Sequence, residues 1–190
     1  MPRISTARRE RRRRLFIAAA RRCFAAQGLA GATMGDITRQ AATSVGAIYP
    51  YFATKDDLVL AAIGDSLDEF GRLLDGVAAA GAASALQPSL GTLVAQMVGL
   101  ATGPGRPDVY KLMVHGWSHA QVDPRTADLL HRHYQAILDR FTAIAASWER
   151  RPDLGPTALG WLVASALLGS VVLGSLDLLP PALPPAPGPP

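Results

Sequence analysis

The sequence predicts an all-α protein with an N-terminal three-helix domain containing a helix-turn-helix and a larger C-terminal helical domain. Three observations lead there. Residues 33–49 read as two short helices joined by a tight turn. Apolar residues recur at +3 and +4 steps through residues 124–149 and again through 159–176, the period of a buried helical seam. Positive charge is confined to the front of the chain. The first 60 residues hold eleven basic and four acidic side chains, a net +7, and the remaining 130 hold eight and eleven, a net −3.

Residues 1–10 form a flexible basic arm in this reading, able to track phosphates or reach a minor groove. The first helix then spans residues 11–27, with Phe16, Ala19, Ala20, Cys23 and Phe24 on its apolar face and Gly28 as its stop. Thr33 and Asp36 have capping-box spacing, and the helix they open puts Ile37 and Ala41 on one face. Ala42, Thr43 and Ser44 break the pattern, since Thr and Ser compete with helix through local bonds. A second helix over residues 45–49 ends at Pro50, which lacks a backbone donor. Such a pair can set its second member in a DNA major groove. These elements make residues 11–55 the helix-turn-helix domain.

Residues 56–178 form the second domain. Thr54 and Asp57 make another capping box, and the helix continues through Leu58, Ile63, Leu67, Phe70 and Leu74, with a break expected within 76–84. Helices follow over residues 86–101 and 108–120, divided by Gly103, Pro104, Gly105 and Pro107. The long helix 124–149 carries Leu130, Tyr134, Ile137, Phe141, Ile144 and Trp148. Beyond Pro156, Leu159, Leu162, Ala166, Gly169, Leu173 and Leu176 repeat the spacing, with Ala166 and Gly169 small enough for close approach by another helix. Two seams from each of two copies would make a four-helix interface. Residues 179–190, mostly proline, form a disordered tail.

Composition excludes several classes. The single cysteine, Cys23, allows no intrachain disulfide and reads as a buried small side chain. Apolar residues 15–20 are too few for a signal peptide before Arg21 and Arg22. Residues 158–176 carry no charge and approach bilayer-spanning length, but include three Gly and three Ser. His115 and His119 are one helical turn apart without a third ligand at usable spacing, so no metal is expected. No nucleophile elbow, phosphate loop or carboxylate pair occurs, so no enzyme and no cofactor are expected. Spacing directs Ser44, Val45, Gly46 and Tyr49 toward base edges. Ser44 can bond several bases and Val45 offers an apolar contact such as a thymine methyl, leaving much of the binding to DNA shape and backbone.

The runs Ala41-Ala42-Thr43-Ser44, Gly46-Ala47-Ile48-Tyr49-Pro50-Tyr51-Phe52 and Lys55-Asp56-Asp57-Leu58 resemble the DNA-binding segment of TetR-family transcriptional regulators. The likeness spans residues 12–62. Three positions depart from the family pattern: Ala42 where Gly is favoured, Thr43 where Val is, and Pro50. The resemblance implies base contacts from Ser44, Val45, Gly46 and Tyr49, and phosphate contacts from Thr33, Tyr51 and Lys55. It implies a homodimer on near-palindromic double-stranded DNA, most often as a repressor in the cytoplasm. It also implies a cavity for a small-molecule effector, apolar or aromatic, with Met97, Tyr110, Met113, Trp117, Tyr134 and Phe141 as candidate lining, each equally explained as plain core. Two alternatives stand beside it: a nonspecific nucleoid-type DNA binder, and a membrane-anchored interaction protein using residues 158–176.

Overall fold

The computed structural model describes residues 6–82, 107–146 and 155–175. Along them run α1 (Thr6–Gly31), α2 (Met34–Gln40), a 3₁₀ turn (Val45–Ala47), α3 (Lys55–Ala82), α4 (Pro107–Ala120), α5 (Pro124–Ala146) and α6 (Pro156–Ser175). The expected all-helical architecture is present.

Helix α1 starts at Thr6, so residues 6–10 belong to it and not to an arm; residues 1–5 lie outside the described residues. Arginine is a good helix former, and the Glu10–Arg14 pair at 3.3 Å adds i,i+4 support on an exposed face. Gly28 interrupts the helix at φ 75°, ψ 168°, a conformation that a Cβ makes costly. Phe16, Ile17, Ala19, Ala20, Cys23 and Phe24 are buried on one side. They share a core with Ile37, Ile48, Phe52 and Leu58, which continues through Ile63 and Leu67 to Leu112, Ile137 and Val163. Each large side chain so buried contributes roughly 1.5–3 kcal/mol.

Helix α3 runs unbroken to Ala82, so the break expected within 76–84 does not occur over 76–82, and residues 83 and 84 lie outside the described residues. Ala78, Ala79 and Ala80 are the strongest helix formers and offset Gly76 and Gly81. The expected helix 86–101 and the Pro-rich tail lie outside the described residues. Pro107 and Pro124 open α4 and α5 at first-turn positions, where a missing N–H costs nothing. Asp123 caps α5, accepting from Thr126 N at 2.9 Å and Thr126 Oγ1 at 2.5 Å.

Helix α6 is apolar on every side. Leu159, Val163 and Ala164 are buried. A Cβ built on Gly160 would sit 2.7 Å from Thr142 Oγ1 and 3.0 Å from Thr142 N, so that glycine allows α6 its close approach to α5. Opposite lie the exposed Trp161, Leu162, Val172 and Leu173. Among the described residues no helix is long and apolar enough to cross a membrane.

Candidate DNA-binding surface

The surface is built by local bonds that the sequence encodes at short range. Thr33 Oγ1 accepts from Asp36 N at 3.2 Å, and Asp36 Oδ2 accepts from Thr33 N at 3.0 Å, completing the capping box that starts α2. Asp36 also accepts from the Thr33 hydroxyl at 2.5 Å and from Arg39 Nη1 at 2.9 Å. These bonds, the Thr33 hydroxyl first, hold the Asp36 carboxyl below the ordinary aspartate range.

After α2 the chain reverses at Ala42, whose φ of 52° is the left-handed turn conformation. Thr43 donates its N–H to Thr38 O at 2.9 Å, and its hydroxyl reaches the same carbonyl at 3.5 Å, giving the extra polar group a partner. Ser44 then begins the 3₁₀ turn without spending its side chain on a cap. Tyr51 N and Phe52 N both donate to Ile48 O, at 2.9 and 3.1 Å, and close the turn around Pro50.

Ile48 and Phe52 point inward and anchor this short element. Ser44, Val45, Gly46 and Tyr49 point outward together, with Val45 46% and Tyr49 51% exposed. No atom lies within 4 Å of a Cβ built on Gly46, so internal packing does not require glycine there. The bare backbone instead permits close approach by an external surface.

Two arginines that the sequence reading did not single out join this surface. The Arg9 guanidinium lies 5.8 Å from the Tyr51 ring centre and donates to Pro50 O at 3.3 Å. Arg13 lies 5.3 Å from the Phe52 ring centre. Their signal was available: positions 9 and 13 are one turn apart, and Phe16 continues their face into the core. Tyr51 is half-buried against Phe16, ring centres 5.5 Å apart. Lys55 directs its ammonium to Ala30 O at 3.1 Å, and Thr33 is engaged in its cap. Cys23 is buried, and that burial raises its thiol above the usual range.

In the second domain four of the six candidate lining residues have described side chains, Met113, Trp117, Tyr134 and Phe141. Met113 and Phe141 are packed in the core. Tyr110 lies on α4 with its side chain outside the described residues, and Met97 lies outside them altogether. Trp117 Nε1 donates to Tyr134 Oη, and burial pushes the Tyr134 phenol well above its ordinary range against that bond. Of those four, Tyr134 lines a cleft of about 280 Å³ between α3, α5 and α6, with Phe70 and Trp161 as its other aromatic walls. His115 lies near Gly28, its Cε1 3.8 Å from a Cβ built there. Among the described residues no group of three or more His, Cys, Asp or Glu is placed to hold a metal ion.

Comparison with known proteins matches residues 16–62 to the model of bacterial regulatory proteins, tetR family. The HTH-type transcriptional regulator HbdR of Aromatoleum sp. (strain CIB) is 39% identical over 61 residues. That match spans 32% of this chain and 27% of that protein. A transcriptional regulator from Rhodococcus sp. Rha1 has a similar fold, with a TM-score of 0.73 at 23% identity over 89% of this chain and 87% of that one. The multidrug binding protein EbrR, complexed with imidazole, gives a TM-score of 0.64 at 24% identity over 87% and 86%.

Proposed function

We propose that this chain, a member of the TetR family of bacterial regulatory proteins, binds a near-palindromic operator as a homodimer and releases it on taking up a small, largely apolar effector. The carrying observation is the outward cluster of Ser44, Val45, Gly46 and Tyr49 beside Arg9 and Arg13. A short helical turn can enter a major groove while flanking arginines neutralise phosphates.

Support for pairing comes from α6. Trp161, Leu162, Val172 and Leu173 lie on one side of the helix and stay exposed, two apolar pairs about three turns apart with Ser165, Ala166 and Gly169 between them, a stripe of the kind that marks an interaction face. A second copy seated there sets two reading turns about 34 Å apart, one groove repeat. Support for effector control comes from α3, which begins at Lys55 beside the turn and carries Phe70 in the wall of the cleft. A ligand that favours one placement of α3 alters the spacing of the two turns and weakens DNA binding. EbrR, similar in fold, is a multidrug binding protein.

Selection of genomic fragments by the purified chain, followed by footprinting, tests the reading. The expected result is a protected site with two related halves one helical turn apart. Binding that falls steeply with salt but selects no site would instead make this a nonspecific DNA-coating protein.

A further inference from the structure

We infer that the cleft between α3, α5 and α6 takes a neutral ligand built on one aromatic ring or a small fused pair, bearing a hydrogen-bonding group. Its role as the effector rests on the regulator reading above; its chemistry rests on the lining. Phe70, Tyr134 and Trp161 supply three aromatic walls, and His131, Gln135 and Ser165 supply the polar atoms. The rest of the lining is aliphatic, and among the described residues no Asp, Glu, Lys or Arg takes part. A ligand with a fixed charge would meet no counter-charge among these residues, and with the mouth covered it would also lose its water, which costs more than ring stacking returns.

This absence of charge is local. On another side of α5 a cleft of about 390 Å³ is lined by Asp68, Arg72, Asp75, Arg132 and Arg140. The aromatic cleft is thus set apart from its neighbour by chemistry. Its volume of about 280 Å³ lies at the lower edge of the roughly 300–1,000 Å³ typical of small-molecule sites, enough for one ring system.

Depth and mouth are arranged for such a guest. Phe70, Ile137 and Ala164 are buried and form the floor. His131, Gln135, Trp161 and Ser165 are exposed around the opening, so the hydrogen-bonding groups sit at the rim and the apolar ones below. A ring therefore enters first and its polar substituent stays at the mouth. Trp161, 58% exposed, also edges the α6 stripe, so a second copy seated on that stripe would cover the opening.

The test uses the full chain with phenol, benzoate and benzylamine, which share a ring and differ in charge. Calorimetric titration should show phenol binding at least about tenfold more tightly than either charged compound. Tryptophan fluorescence should change on phenol binding, and Trp161→Phe should lose most of that change. Ser165→Phe, at the exposed rim, should fill the mouth and abolish binding with the helical content unchanged. Equal affinity for the three compounds, or undiminished phenol binding in folded Ser165→Phe, overturns the inference. Site selection by ligand-free protein is run beside it. A selected palindrome without phenol binding defeats the ligand assignment alone, and phenol binding without any selected site defeats the regulator reading alone.

Discussion

Arg21 Nη1 donates to Asp65 Oδ2 at 2.7 Å, joining the middle of α1 to α3. Its Nη2 lies 2.7 Å from Glu69 Oε2, so two carboxylates one turn apart hold the guanidinium of a residue that is only 8% exposed. The planar fork of arginine suits this double contact, and lysine could not reproduce it. The contact ties α1, which packs against the helix-turn-helix, to α3, which carries Phe70 in the wall of the aromatic cleft.

Replacing Arg21 with Met should destabilise the fold by about 2–3 kcal/mol. The loss stays below that of a fully buried pair because Asp65 and Glu69 keep part of their hydration, at 40% and 26% side-chain exposure. Urea unfolding measures it. Adding Asp65→Asn and Glu69→Gln to Arg21→Met should recover part of the loss by removing the two carboxylates that lose the guanidinium. A triple variant less stable than Arg21→Met would show that packing of the arginine stem, not charge, carries the effect.

That pair also shows what the sequence could and could not reveal. Thr33 and Asp36, or Thr54 and Asp57, are three residues apart, and their bonds follow from local geometry. Arg21 looked like one more charge in a basic run, because its partner lies 44 residues away and no periodicity links them. The outward set of Ser44, Val45, Gly46 and Tyr49 was legible because a turn of known shape fixes the directions of positions 44, 45, 46 and 49. The cleft was not, since Phe70, Tyr134 and Trp161 come from three helices whose mutual rotation depends on packing. Aromatic type alone marked Trp117 and Phe141 equally, and these are partly buried beside the core and packed within it.

Ala42→Gly should raise stability by about 0.5 kcal/mol. The left-handed φ of 52° costs an L-residue roughly 1–2 kcal/mol, offset in part by the greater entropy glycine has when unfolded. In a chain of this size the melting temperature should rise by about 1–2 °C. A fall on melting would mean that the alanine methyl makes a contact worth more than the strain.

Tyr49→Ala and Arg13→Ala should separate reading from gripping. Tyr49 is 51% exposed, so its loss should leave folding within about 0.5 kcal/mol of the parent while weakening binding to the selected site. Arg13→Ala should weaken binding to all sequences alike and reduce the salt slope by about one unit. Gel-shift titrations over a range of salt distinguish the two patterns. An unchanged slope in Arg13→Ala would remove that side chain from the phosphate contacts.

Acid should loosen the helix starts before the core. Asp36, Asp57 and Asp123 all have carboxyls below their ordinary range, held there chiefly by Thr33, Arg125 and Thr126 respectively. Each folded-state value lies below the unfolded value of about 3.9. Their contribution is therefore complete above that pH and is lost as pH falls through the folded values. Unfolding midpoints at pH 5 and pH 3 should differ, and Asp57→Asn should reduce the difference by removing the partner of Arg125, 2.8 Å away. Equal pH dependence in the variant would assign the acid sensitivity elsewhere.

Two glycines on α6 test its two faces independently. Gly160 faces inward, where an added Cβ would stand 2.7 Å from Thr142 Oγ1 and 3.1 Å from Thr142 Cα; backbone cannot yield as a flexible side chain would. Gly160→Ala should thus force α6 from α5 and cost about 1–3 kcal/mol, despite the better helix propensity of alanine. Gly169 has no atom within 4 Å of its added Cβ, so Gly169→Leu should leave the folded monomer intact or firmer. If the stripe of Trp161, Leu162, Val172 and Leu173 seats a second copy, a leucine between its ends should hold the two helices apart. Sedimentation should then show a weakened dimer for Gly169→Leu, and Gly160→Ala should melt earlier. A Gly169→Leu protein that pairs as tightly as the parent would place the second copy on some other face.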